Sequence, residues 1–169
     1  MLRKLIYIVF IVLFANCLQS QNKAPQIDMD QPEMITADVI RTDVIKFAKA
    51  YLGTTYHYAG SEPSKGFDCS GFVSYVFKNF NINLPNSSKG YENLGTALKP
   101  EEFKVGDVLV FYGHLDSSHI GHVGIICEAK GMKSKFIHST SGKAYGVTIS
   151  ELGSGMYTRR FYKCINVIH

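Results

Sequence analysis

This 169-residue sequence predicts an α+β fold, with N-terminal helices packed on a mostly antiparallel sheet of about five to six strands. Two observations carry the prediction. Apolar residues recur at helical spacing in two segments of the first half, and from Val105 onward strand-like runs follow one another with only glycine and polar turns between them. Helices first and strands afterwards argues against a doubly wound parallel sheet, in which the two alternate. The length suits one domain, and 46% hydrophobic with 19% charged residues excludes bulk disorder. The net charge of +4 includes Arg3 and Lys4. No basic cluster exists beyond Arg159-Arg160, which reads as a solvated strand end, so nucleic acid is not an expected partner.

Residues 1–20 read as an export signal. Arg3 and Lys4 precede an apolar run at residues 5–15, too short for a membrane span of roughly 20 residues. Phe14-Ala15-Asn16-Cys17 is similar to a bacterial lipoprotein box, which makes Cys17 a candidate for lipidation and membrane tethering. Ordinary cleavage nearby is the alternative. Either outcome places the mature protein outside the cytoplasm, in the periplasm or cell envelope. Residues 21–38 read as a linker, with Pro25 and Pro32, and residues 39–169 as the functional domain. A linker this short leaves no room for an accessory wall-binding domain, which takes roughly 50 residues or more.

Thr36 or Asp38 can cap a first helix running to about Leu52, with Val39, Ile40, Val44, Phe47, Ala48 and Tyr51 at near-helical spacing and Gly53 as its stop. After a Gly- and Tyr-rich loop, a second helix is expected from Asp68 to about Phe80. Its apolar face is Phe72, Val73, Val76, Phe77 and Phe80, and Asp68 is its N-cap. Residues 86–104 are mixed and carry one short helix. Strands are expected at 108–112, 122–127, 135–138, 147–149 and 160–168, with no helix among them. Cys127 and Cys164 lie in apolar strand-like runs and read as small buried hydrophobes, open to pairing if their strands are neighbours.

Cys69 differs from them, because its neighbours are polar residues and glycine. It falls in the first turn of the second helix, where free N–H groups and roughly half a positive charge favour a thiolate. Asp68 opposes that ionisation. A thiol nucleophile needs a base, and His122 opens an apolar strand from which it can reach a helix terminus. His138, one strand on, can hydrogen-bond the first imidazole and set its tautomer. Each histidine alone reads as structural, whereas with Cys69 they form a candidate triad. His114, Asp116, His119 and His122 raise the alternative of a metal site, but they lack the i, i+4 pair of a zinc-peptidase helix. No metal or organic cofactor is expected.

Five segments in order carry a resemblance. Gly53-Thr54-Thr55-Tyr56-His57-Tyr58-Ala59-Gly60, Asp68-Cys69-Ser70-Gly71, Val105-Gly106-Asp107-Val108, the His122-Val123-Gly124-Ile125 run and Phe136-Ile137-His138 together resemble the motifs of the NlpC-type bacterial cell-wall peptidases. Those enzymes are papain-like cysteine peptidases. The resemblance implies Cys69 as nucleophile, His122 as base, His138 as orienting residue and Tyr56 beside the oxyanion. It implies that Asp68, Ser70 and Ser88 hold the free amine of a peptidoglycan stem peptide. Thr55 and Ala59 replace the family's Pro and Gly, Asn86 stands where Arg is common, and the usual Gln a few residues later is not evident; none of these is a reacting group.

The expected protein is then an exported, monomeric endopeptidase that hydrolyses the amide between D-γ-glutamate and a diamino acid such as diaminopimelate. The alternatives are an amidase or acyltransferase on the same fold, and a non-catalytic wall-binding module.

Overall fold

The computed structural model describes residues 36–169. The export signal, Cys17 and most of the linker lie outside the described residues. Among those described, no helix is long and apolar enough to cross a membrane.

The first helix, α1 (Ala37–Lys49), is capped by Thr36, whose hydroxyl accepts from the Val39 N–H. Its inward face is turned from the one expected: Val39 is half exposed, while Arg41 is buried beside Val44, Ile45 and Ala48. Arg41 reaches Asp107 at 2.8 Å, the Val105 carbonyl at 2.8 Å and the Asn166 side-chain oxygen at 2.7 Å. One buried cation thereby ties the helix to the start of the sheet and to the chain's C-terminal segment.

A hairpin of two very short strands, β1 (Ser61–Glu62) and β2 (Gly66–Phe67), precedes α2 (Cys69–Lys78). The expected face of α2 is found, with Phe72, Val73, Val76 and Phe77 fully buried. The mixed region carries two single 3-10 turns, Ser88–Tyr91 and Pro100–Glu102, where one short helix was expected.

Five antiparallel strands follow: β3 (Val108–Tyr112), β4 (Ile120–Glu128), β5 (Lys135–Thr140), β6 (Gly146–Glu151) and β7 (Phe161–Ile165). They lie in the order β6-β5-β4-β3-β7. A six-residue helix, α3 (Gly155–Arg160), interrupts the region expected to hold strands alone. It delays the last strand by one residue and carries Tyr157 into the core.

The sheet separates two apolar clusters. On one face α1 and α2 pack against Val108, Val110, Val123 and Ile125; on the other, Leu109, Phe111, Ile126 and Phe136 surround Tyr157. Cys127 packs against the first cluster and Cys164 belongs to the second, with β3 between their strands. Both thiols are free, as their placement on opposite faces of non-neighbouring strands requires.

Candidate active site

Asp68 starts the site. Its carboxylate accepts the Gly71 N–H at 2.7 Å and so caps α2, which puts Cys69 in the first helical turn. Gly71 is where the helix meets the preceding loop: a Cβ there would strike the Gly60 carbonyl oxygen. The helix that carries Cys69 is thus seated against loop backbone with no side chain between.

His122 and His138 come from the adjacent strands β4 and β5, and both are buried. The pairing of β3 with β4 shifts register between Phe111 and Tyr112, so that His122 faces Phe111 and Ile120 faces Tyr112. The extra residue, Gly121, is a bulge of the kind that re-aims a side chain beside a site. His122 Nε2 lies 2.9 Å from His138 Nδ1, and the rings are nearly perpendicular at 89°. His138 Nε2 lies 2.9 Å from the Ser150 hydroxyl and 3.5 Å from that of Tyr157. Gly124 makes room for this arrangement, because a Cβ there would come within 2.6 Å of the Phe136 ring and 3.0 Å of the His138 Cβ.

The cleft has two halves that share Tyr56, Cys69 and Gly121. One, of about 380 Å³, is further lined by His122, Thr140, Ser141, Tyr157 and Arg160. The other, of about 480 Å³, is lined by Asp68, Ser70, Asn86 and Ser88. Tyr56, Asp68, Cys69, Ser70, Ser88 and His122 therefore meet in one cleft, with His138 behind His122. The Ser70 hydroxyl lies 3.1 Å from the Asp68 carboxylate and 2.9 Å from the Asn86 carbonyl, and that of Ser88 points toward the Ile120 carbonyl at 3.5 Å.

Burial dominates the electrostatics. It pushes the Cys69 thiol up to about 11, with Asp68 adding to the rise and backbone hydrogen bonds from Val123, Ser70 and Cys69 itself opposing it. It holds His122 well below the usual imidazole range, helped by His138 and by the positive charge of Arg160. It takes His138 down to about 3, again helped by Arg160. These shifts all favour the uncharged forms, a thiol and neutral imidazoles. Burial, Cys69 and Asp68 also raise the Tyr56 phenol, which stays protonated and able to donate.

Three neighbours escaped the sequence reading. Ser150 and Tyr157 hold the far nitrogen of His138. Arg160 is no solvated strand end: α3 turns it back, its Nε donates to the Tyr112 carbonyl at 3.0 Å, and it lines the cleft while Arg159 stays exposed. An apolar strand-like run starting at residue 160 gave no hint of that turn. The supposed metal ligands part company. His119 and Asp116 pair in an exposed loop at 2.9 Å, and His122 turns to His138. Among the described residues no three such side chains gather.

Comparison with known proteins places the chain by family and fold. The profile of the NlpC/P60 family matches residues 53–166. Over 129 residues the chain is 34% identical to the gamma-DL-glutamyl hydrolase of Bacillus subtilis (strain 168), covering 76% of this chain and 30% of that protein. Over 163 residues it is 29% identical to the probable endopeptidase NlpC of Escherichia coli (strain K12), covering 96% and 97%. Among solved structures, the peptidoglycan hydrolase RipB of Mycobacterium tuberculosis matches with a TM-score of 0.63 at 25% identity, over 93% of this chain and 78% of that one. The chain thus spans under a third of the Bacillus hydrolase and nearly all of the Escherichia relative.

Proposed function

Because the chain belongs to the NlpC/P60 family and has its papain-like α+β fold, we propose that it is a cysteine endopeptidase of peptidoglycan stem peptides, cutting the amide between D-γ-glutamate and a diamino acid. The observation that carries the reading is the assembly of Cys69, at the start of α2, with His122 in one cleft, and of His138 2.9 Å behind His122.

The chemistry follows from the neutral resting pair. As Cys69 Sγ attacks the carbonyl carbon, the thiol proton passes to His122, so neither group carries an uncompensated charge in the buried site. For that transfer His122 Nδ1 must be the bare nitrogen, with the proton on Nε2 donated to His138 Nδ1. His138 then holds its own proton on Nε2, toward Ser150 and Tyr157. Negative charge grows on the carbonyl oxygen, where the Cys69 backbone N–H and the Tyr56 hydroxyl are the donors at hand. His122 returns the proton to the departing amine, and a C–S acyl bond joins the glutamyl carbonyl to Cys69. Water, deprotonated by the same imidazole, displaces the thiol and releases the glutamate carboxylate. Asp68, Ser70 and Ser88 would hold the free amine of the acyl half, a use for a carboxylate that otherwise disfavours the thiolate.

The same reading places the protein in the cell envelope, by an export signal over residues 1–20 and, if Cys17 is lipidated, a membrane tether. The test is digestion of purified peptidoglycan and of soluble stem peptides by the protein and by Cys69→Ala, with products weighed by mass spectrometry. Cleavage after D-glutamate by the unsubstituted protein alone is expected. Cleavage that persists in Cys69→Ala, or at another bond, overturns the proposal.

A further inference from the structure

The two halves of the cleft carry opposite charge. The Asp68 half contains a carboxylate and no cation, and the half beyond Cys69 contains the Arg160 guanidinium and no carboxylate. Among the described residues nothing neutralises that guanidinium. The ion pairs of the described residues are Arg41–Asp107, Lys65–Glu62, His119–Asp116 and Lys135–Glu128, and none includes Arg160. Its Nε is anchored on the Tyr112 carbonyl, and the two terminal nitrogens have no hydrogen-bond partner among the described residues. The group is half-buried at the end of α3, and a cation drawn out of water without a counter-charge is costly. A planar fork with its root fixed and its tips free matches a carboxylate.

The reaction decides which part of the substrate lies there. His122 protonates the departing amine, so that amine must sit on the His122 side of Cys69. His122 lines the half that holds Arg160 and is absent from the lining of the half that holds Asp68. We propose that Arg160 forms a carboxylate-binding subsite for the leaving half of the substrate, so that the protein selects leaving amines that carry a free carboxylate. The inference rests on the peptidase reading for the direction in which the substrate lies. The carboxylate has two sources: the side chain of the diamino acid, where diaminopimelate has one and lysine has none, or the main-chain terminus of a peptide that ends at that residue.

Four soluble peptides separate these, all beginning L-alanyl-γ-D-glutamyl. They end in diaminopimelate, diaminopimelate amidated at its main-chain carboxyl, lysine, or lysine amide. Rates are measured on the full chain, and affinities on the full chain carrying Cys69→Ala. Peptides with a carboxylate on the leaving residue should surpass lysine amide by on the order of 10- to 100-fold in kcat/KM and in affinity, the range of a charge-assisted hydrogen bond. Amidated diaminopimelate against free lysine then tells which source is read. Arg160→Gln should erase the difference and Arg160→Lys should keep part of it, showing that the fold survives substitution. Equal handling of lysine amide, discrimination that outlives Arg160→Gln, or binding of no peptide overturns the subsite. Arg160-dependent binding of the carboxylate peptides with no cleavage of any would sink the peptidase reading and leave the subsite standing.

Discussion

On the proposed mechanism Cys69 and His122 share one proton, and their surroundings widen the pH range over which they do. The reactive state is lost when His122 takes up a second proton or when the pair loses its only one. Burial lowers the first event below the ordinary 6.5 of an imidazole and raises the second above the ordinary 9.0 of a thiol, toward about 11. These are properties of the coupled pair. A kcat/KM profile on a stem peptide should stay flat from below pH 6.5 to above pH 9.0. An acid limb centred at or above 6.5 would contradict the buried neutral imidazole. At this scale much of the site was legible. A Cys after an N-cap Asp, and two histidines in consecutive apolar strands, are local patterns with a chemical reason. Arg160, Ser150 and Tyr157 were not legible. The contacts of Arg160 and Tyr157 depend on how a six-residue helix turns the chain, and that of Ser150 on the pairing of β5 with β6; no spacing encodes either.

Elements were read best where burial is one-sided. The α2 face appeared as expected because four apolar residues recur at helical spacing, and β3 and β4 because their runs are long and apolar. The β1–β2 hairpin escaped because two-residue strands have no period to detect. In α1, Val39 and Arg41 exchanged places relative to the expected face, because the partner for Arg41 is Asp107, 66 residues away. Gly71 offers a test at this scale. In an exposed helix, Gly→Ala stabilises by about 1 kcal/mol. Here the added methyl would meet the Gly60 carbonyl oxygen, so Gly71→Ala should instead destabilise by about 1–3 kcal/mol and slow alkylation or turnover at Cys69. A rise in the melting temperature of that variant would mean that α2 and the loop are not in close register.

Across the whole molecule, the Arg41–Asp107 pair joins the first helix, the first long strand and the chain's end at one buried point. Both side chains are almost fully enclosed. Removing one partner strands a buried charge, so Asp107→Ala should cost about 3–5 kcal/mol. Denaturant unfolding would measure it, and a loss below about 1 kcal/mol would show that water reaches Arg41. Burial alone raises Asp107, and Arg41 with the Lys104 N–H opposes that rise, which is why neither half of the pair is dispensable.

The order of the proposed reacting residues along the chain also sets a schedule. Cys69 leaves the ribosome 53 residues before His122 and 69 before His138. The strand on which His122 stands pairs with β3, and β3 in turn is flanked by the last strand of the chain. A growing chain therefore presents Cys69 well before the strands that position His122 can pair. On the proposed mechanism the thiol and its base come together only once these strands have paired, so activity would be a property of the assembled sheet and not of the helix that carries Cys69.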